Sequence, residues 1–292
     1  MLVTPLPGVD RGNVLQVLRS VHTDVSNLYT SGTQGAYPRP LEYLEWTSNA
    51  VRMLRGQIRG ADIDRLVLTR RQAVLLDGVG RFDSEEHQKL VNGLVSLELE
   101  ERVQAFEAAI KEFAALTERW HHSRRLLVPD SSLFIQHKDK FGEADFAKLL
   151  SGGPEPVHVL VPMAVVDELD SLKESKNKHA RWRAGYSLAV LDRLLQEASP
   201  GILRPADMHE GSDGPPRGAV TVEVLFDPPG HTRLPISDDE IIDRAVVAQA
   251  QAGTPVTLVT YDTGQSTRAR AAGLRVNKLR GDAGTGPEPE KD

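Results

Sequence analysis

The spacing of apolar residues changes at Leu126, and that change constrains the fold more than any other feature of the chain. Upstream, apolar residues recur every three or four positions, the period of one helix face. Downstream, short apolar runs alternate with helix-spaced stretches, the pattern of an α/β domain with a mainly parallel sheet. A chain of 292 residues is long for one core. The reading is therefore an all-α helical domain over residues 1–122 and an α/β domain over 123–280. A Gly-, Pro- and charge-rich tail over 281–292 reads as disordered.

In the first half, Val14, Leu18, Val21, Val25 and Leu28 lie on one helix face. Gly32, Gly35, Pro38 and Pro40 break the chain, and a second helix is expected over 41–58. A third is expected over 61–76. Residues 77–84 read as a turn in which Asp83 precedes Glu86 at capping-box spacing. A long fourth helix then runs to about Trp120. Along it Leu99, Val103, Phe106, Ile110, Phe113, Thr117 and Trp120 alternate steps of four and three, the spacing of a helix packed lengthwise on another. An intramolecular bundle accounts for this. An intermolecular coiled coil, and with it a homo-oligomer, is the alternative.

In the second half, strands are expected over 126–128, 157–161, 220–226, 256–260 and 274–279. Helices are expected over 141–150, 164–175, 180–198, 238–252 and 266–272, with a surface loop over 205–217. Ligands of open parallel sheets bind beyond the carboxyl ends of the strands. Acids stand there: Asp130 after LLVP, Glu168 in MAVVDELD after VHVLVP, Asp238 and Asp239 opening SDDEIID, and Asp262 after PVTLVTY. Carboxylates forced together raise one another's pKa, and a divalent cation relieves the repulsion. Mg²⁺ or Mn²⁺, which favour hard oxygen ligands, fit such a set. Each acid also has a structural account. Ser237 and Glu240 have capping-box spacing, Asp262 with Gln265 and Asp130 with Ser131 and Ser132 suit caps, and Glu168 suits solvent. Capping alone gives no reason for an acid after three separate strands.

From Leu126 to Arg280 these motifs, in this order, resemble PIN domains, metal-dependent nucleases with a small α/β/α fold. The family's opening strand ending in Asp beside a small polar residue is matched by Asp130 and Ser132. Its acid after a hydrophobic strand and Pro is matched by Glu168. Its Asn-Asp-Asp helix start is matched by Ser237-Asp238-Asp239, with Ser in place of the usual Asn, and its Thr-x-Asp by Thr260-Tyr261-Asp262. The likeness is better to larger PIN domains than to the short toxin ribonucleases. It implies a PIN-like α/β/α sandwich and a divalent-metal-dependent ribonuclease that hydrolyses phosphodiester bonds in single-stranded RNA, with DNA still open. Asp130, Glu168, Asp238 and Asp262 would be catalytic and would hold Mg²⁺ or Mn²⁺ with Asp239 assisting. Ser132 and Thr260 would lie against substrate. A catalytically inactive scaffold that binds nucleic acid or a protein partner is the alternative.

A basic run, Lys173, Lys176, Lys178, His179, Arg181 and Arg183, follows Glu168, with Trp182 and Tyr186 beside it. Lys176, Arg181 and Arg183 suit phosphate, and the aromatics suit unpaired bases. A solvated helix end is the plain alternative. Arg268 and Arg270 form a second, weaker basic candidate. Other chemistries are excluded. The absence of cysteine removes thiolate zinc sites and cysteine nucleophiles, and no P-loop, GxGxxG or GxSxG motif occurs. A haloacid-dehalogenase-like phosphatase needs a second Asp where Ser132 stands. The nine histidines show no paired metal spacing. The net charge of −6 is mildly unusual for a nucleic-acid binder, though a local basic patch suffices. The opening MLVTPLPGVDRG lacks a leader's basic start and unbroken apolar run, and no stretch is long enough to span a bilayer, so a cytoplasmic protein is expected.

Overall fold

The structure is a computed structural model that describes residues 3–31, 38–78, 85–121, 125–197, 199–207, 216–228 and 230–281. Of the expected turn over 77–84, Asp77 and Gly78 end a helix and 79–84 lie outside the described residues, as do most of the loop over 205–217 and the tail beyond residue 281. The chain divides into two compact units, Met1–Arg119 with Ala250–Gly253, and Trp120–Gln249 with Thr254–Asp292.

The first unit is helical: α1 (Arg11–Ser31), α2 (Pro38–Leu54), α3 (Gly60–Leu66), α4 (Arg70–Gly78) and α5 (Glu85–His121). The α1 stripe is buried as its spacing predicts, at Val14, Leu18, Val21 and Val25. The single helix expected over 61–76 is two. The hydroxyl of Thr69 accepts from the N–H of Gln72 at 3.1 Å and starts α4. The Arg102 guanidinium donates to the carbonyls of Arg65 and Leu66, both at 3.0 Å, and so satisfies the end of α3.

Along α5 the buried heptad is Val95, Leu99, Arg102, Phe106, Ala109, Phe113, Leu116 and Trp120. Val103 and Ile110, expected on that seam, are only half-buried beside it. Apolarity placed the stripe one residue off at alternate steps, because the slot before Val103 holds a charged residue, Arg102, that ion pairing allows into the core.

The second unit runs β1 (Arg125–Pro129), α6 (Ser131–Gln136), α7 (Phe146–Leu149), β2 (Val157–Pro162), α8 (Met163–Leu172), α9 (Lys178–Glu197), β3 (Gly201–Arg204), β4 (Val220–Leu225), α10 (Ser237–Ala252), β5 (Val256–Thr260), α11 (Thr263–Ala271) and β6 (Arg275–Lys278). The sheet order is β3-β4-β2-β1-β5-β6. Every pair is parallel except β3 on β4. All six residues of β2 are buried, so both faces of the sheet are covered there, the layering of an α/β/α sandwich.

Three elements depart from the sequence reading. The antiparallel edge strand β3 was not visible, since GILR is only four residues long. Only Phe146–Leu149 of the expected 141–150 helix forms, started by Asp145, whose side chain accepts from the N–H of Lys148. Helix α11 begins three residues before position 266, because Asp262 caps it.

Candidate metal centre

The four strands β1, β2, β4 and β5 are mutually parallel, so their carboxyl ends share one edge. Every acid selected from the sequence is carried by the segment that leaves that edge. Asp130 directly follows β1 and is 4% exposed. It caps α6 by accepting from the N–H of Leu133 at 3.1 Å. Its Oδ1 also accepts from the hydroxyl of Ser132 at 2.6 Å and its Oδ2 from that of Thr260 at 2.5 Å. Asp262 caps α11, accepting from the N–H of Gln265 at 2.6 Å, while its own N–H donates to Thr260 Oγ1 at 2.8 Å. One hydroxyl thereby ties Asp130 to the start of the Asp262 turn.

Across the cluster, Ser237 donates its hydroxyl to Glu168 on α8. This displaces the expected capping box. The carboxylate of Glu240 instead reaches the N–H of Leu234 at 2.9 Å. Asp238, one residue on, accepts from Arg268 Nη2 at 2.6 Å, and Asp239 Oδ1 lies 3.3 Å from Arg268 Nη1.

The acids feel one another. Burial first, and the charge of Glu168 in addition, push Asp130 up to about 6 against the hydrogen bonds from Ser132, Thr260 and Leu133, which pull it down. Asp238 is also raised, by burial first. Arg268 opposes that shift, while Asp262, Glu168 and Asp239 add to it. The donors are carboxylate oxygens alone, no three of them within 4.8 Å of one another, and at Asp130 no cation is among the groups that shift the carboxyl. That set fits a hard divalent ion.

The residues assigned to substrate divide. Lys176 and Arg181 are exposed, Arg181 donating to the carbonyl of Ser175 at 3.2 Å. Trp182 is 55% exposed and stacks on Tyr186 with ring centroids 5.4 Å apart. Arg183 must be reassigned. It is 4% exposed, and its guanidinium donates to the carbonyls of Phe134 at 3.0 Å, His137 at 2.5 Å and Asp139 at 2.7 Å. It satisfies the end of α6 and is not available to phosphate. Thr260 is fully buried and Ser132, besides serving Asp130, accepts from the N–H of Tyr261 at 2.8 Å. Both hold the acids in place, and Thr260, with no exposed surface, does not lie against substrate as expected.

Beside Glu168 lies a groove of about 520 Å³, lined by Ser131, Ser171, Arg233, Leu234 and Ser237 among others. Arg233 is held by Asp167 at 2.5 Å and Asp227 at 2.6 Å. The sequence did not reveal a trio near this groove, Asp227, His231 and Glu240, whose ligand atoms lie within 4.8 Å of one another. Its carboxylates already carry guanidinium partners, Arg233 on Asp227 and Arg244 on Glu240 at 3.2 Å. With His231 Nε2 at 2.8 Å from Glu240, the trio is a clasp that ties the loop after β4 to α10, and its two arginines are shared with Asp167 and Asp243.

A family model described as PIN domain matches residues 127–280. No match to the chain was found among curated proteins. Among solved structures, a domain of a functionally unknown protein from Methanocaldococcus jannaschii DSM 2661 is similar at 16% identity, covering 57% of this chain and 96% of that one with a TM-score of 0.31.

Proposed function

The chain belongs to the PIN domain family, and from that premise we propose that it is a divalent-metal-dependent ribonuclease acting on single-stranded RNA. The nuclease-type fold follows from the family. Metal, RNA and catalysis are the proposal. One observation carries it: Asp130 is buried and raised to about 6, by burial first and by the charge of Glu168 in part, with neutral donors and no cation to balance it.

Asp130 would be the central ligand, with Glu168 and Asp238 to either side and Asp262 completing the set. Asp239 would assist. A bound Mg²⁺ or Mn²⁺ supplies an acidified water and neutralises phosphate charge. The chain's own residues do the rest. Thr260 and Ser132 fix both oxygens of Asp130, and Ser237 fixes Glu168. Arg183 locks the far end of α6, whose first turn Asp130 caps. Lys176 and Arg181 on the exposed turn before and into α9 would attract the phosphate backbone, and Trp182 offers a face for a base. None of these cations is placed to transfer a proton.

The test is a gel assay on single-stranded RNA and DNA of the same sequence with Mn²⁺ or Mg²⁺, wild type beside Asp130→Asn. Cleavage of RNA by the wild type alone is expected. Equal cleavage by both proteins would withdraw the assignment. Mn²⁺ binding without cleavage would favour the inactive scaffold.

A further inference from the structure

Arg268 stands apart from the other cations near the acids. It reaches from α11 to the start of α10 and forks across two carboxylates, Asp238 at 2.6 Å and Asp239 at 3.3 Å. Guanidinium is rigid, planar and permanently charged, so this fork is a fixed positive charge against one wall of the cluster. The third acid on that side is near too. A Cβ added at Gly264 would lie 3.2 Å from Asp262 Oδ1 and 3.8 Å from Arg268 Nη2. The bare glycine leaves the space between carboxylate and guanidinium open. The Asp130 wall has no such charge, only hydroxyl and N–H donors.

We propose that Arg268 takes the place of a second metal ion, so that the site binds one divalent cation on the Asp130 side while Arg268 neutralises the Asp238–Asp239 side. The inference rests on the metal-site reading above. Two further observations fit it. The Nε of Arg268 is buried without a hydrogen-bond partner among the described residues, so the fork is not the side chain's fully satisfied position. A cavity of about 420 Å³ lined by Asp239, Ile242, Asp243, Val246 and Ala271 adjoins the same arginine and gives it room to move. Guanidinium pairs with phosphate in the same forked geometry as with carboxylate. Arg268, whose Nε–H is left over while it forks Asp238 and Asp239, is thus placed to take a strand's phosphate as well.

This role has a signature that a merely structural one lacks, because its two effects have opposite signs. Removing the charge should strengthen metal binding and weaken substrate binding. The experiment counts Mn²⁺ bound to the full chain by electron paramagnetic resonance of the free ion, for wild type, Arg268→Ala and Arg268→Lys, and measures KM for a single-stranded RNA. Wild type should bind one Mn²⁺. Arg268→Ala should bind two, or one at least about tenfold more tightly, with KM raised about tenfold. Arg268→Lys keeps the charge and should bind one, which keeps the test decisive should the alanine variant fold poorly. Two Mn²⁺ in wild type, or equal number and affinity in wild type and Arg268→Ala, would overturn the proposal and leave the nuclease reading standing. No Mn²⁺ in any of the three would end the metal reading, and this inference with it.

Discussion

Glu98 in the helical unit and Asp130 in the α/β unit are both deeply buried carboxylates, and the two are treated in opposite ways. Glu98, in α5 of the helical unit, is fully buried and has its countercharge built in. Arg102 Nε lies 3.1 Å from one oxygen and Arg71 Nε 2.9 Å from the other. The hydroxyls of Thr69 and Tyr43 donate to it at 2.7 and 3.3 Å. Asp130 in the α/β unit is 4% exposed and receives only neutral donors, with another acid acting on it. A buried charge without a partner is costly, so a fold retains one only where something else offsets it. Glu98 completes a structure. Asp130 leaves a charge deficit that an external cation can fill. Burial and hydrogen bonding alone would not separate the two; the location of the positive charge does.

That contrast can be broken most forcefully at Asp130. Asp130→Asn keeps the shape and removes the charge, and cleavage should fall on the order of a thousandfold, several kcal/mol of transition-state stabilisation. Glu98→Gln should leave the rate per folded molecule unchanged. Its effect belongs to stability: two arginines each lose one of their partners, and urea unfolding should report a loss of about 3 kcal/mol. A Glu98→Gln protein as stable as wild type would dissolve the distinction.

The pH dependence sharpens the contrast further. The Asp130 carboxyl in the fold sits at about 6, above its ordinary 3.8, so the neutral form is the one the fold favours. Its contribution to metal-free stability is therefore full below about pH 4 and is lost as pH rises through 6. A rise of that size corresponds to about 3 kcal/mol as an upper bound. Metal-free Asp130→Asn should be the more stable protein at pH 8 and no more stable than wild type at pH 4. Thermal melts across that window check this, and a constant difference would refute it. The smallest expected effect is at the surface. Lys176→Ala should weaken RNA binding only a few-fold and lower the slope of log affinity against log salt by about one, read from binding isotherms at several salt concentrations. An unchanged slope would remove Lys176 from the interface.

Much of the second unit was legible because a strand buried in a parallel sheet reads as an unbroken apolar run. VHVLVP is buried at every position, and VTLVT nearly so. The acids were legible because each lies in the segment that leaves a strand's carboxyl end, which is a local fact. In the first unit, the α1 stripe was local in the same sense, and so was the length of α5.

What local pattern missed are choices made across the sequence. Lys176, Arg181 and Arg183 look alike in a basic run, yet Arg183 alone turns inward, because carbonyls 44 to 49 residues away at the end of α6 await a donor. The break between α3 and α4 has its own cap at Thr69, but it is finished by Arg102, 36 and 37 residues on. Arg268 becomes the partner of Asp238 across 30 residues. The sequence by itself determined most of the helices and strands and which edge of the sheet carries the acids, since periodicity and chain direction fix both. Only the tertiary structure decided which charges are neutralised from within and which are left for a cation. Countercharge depends on distance in space, and a few ångströms separate a paired carboxylate from a bare one.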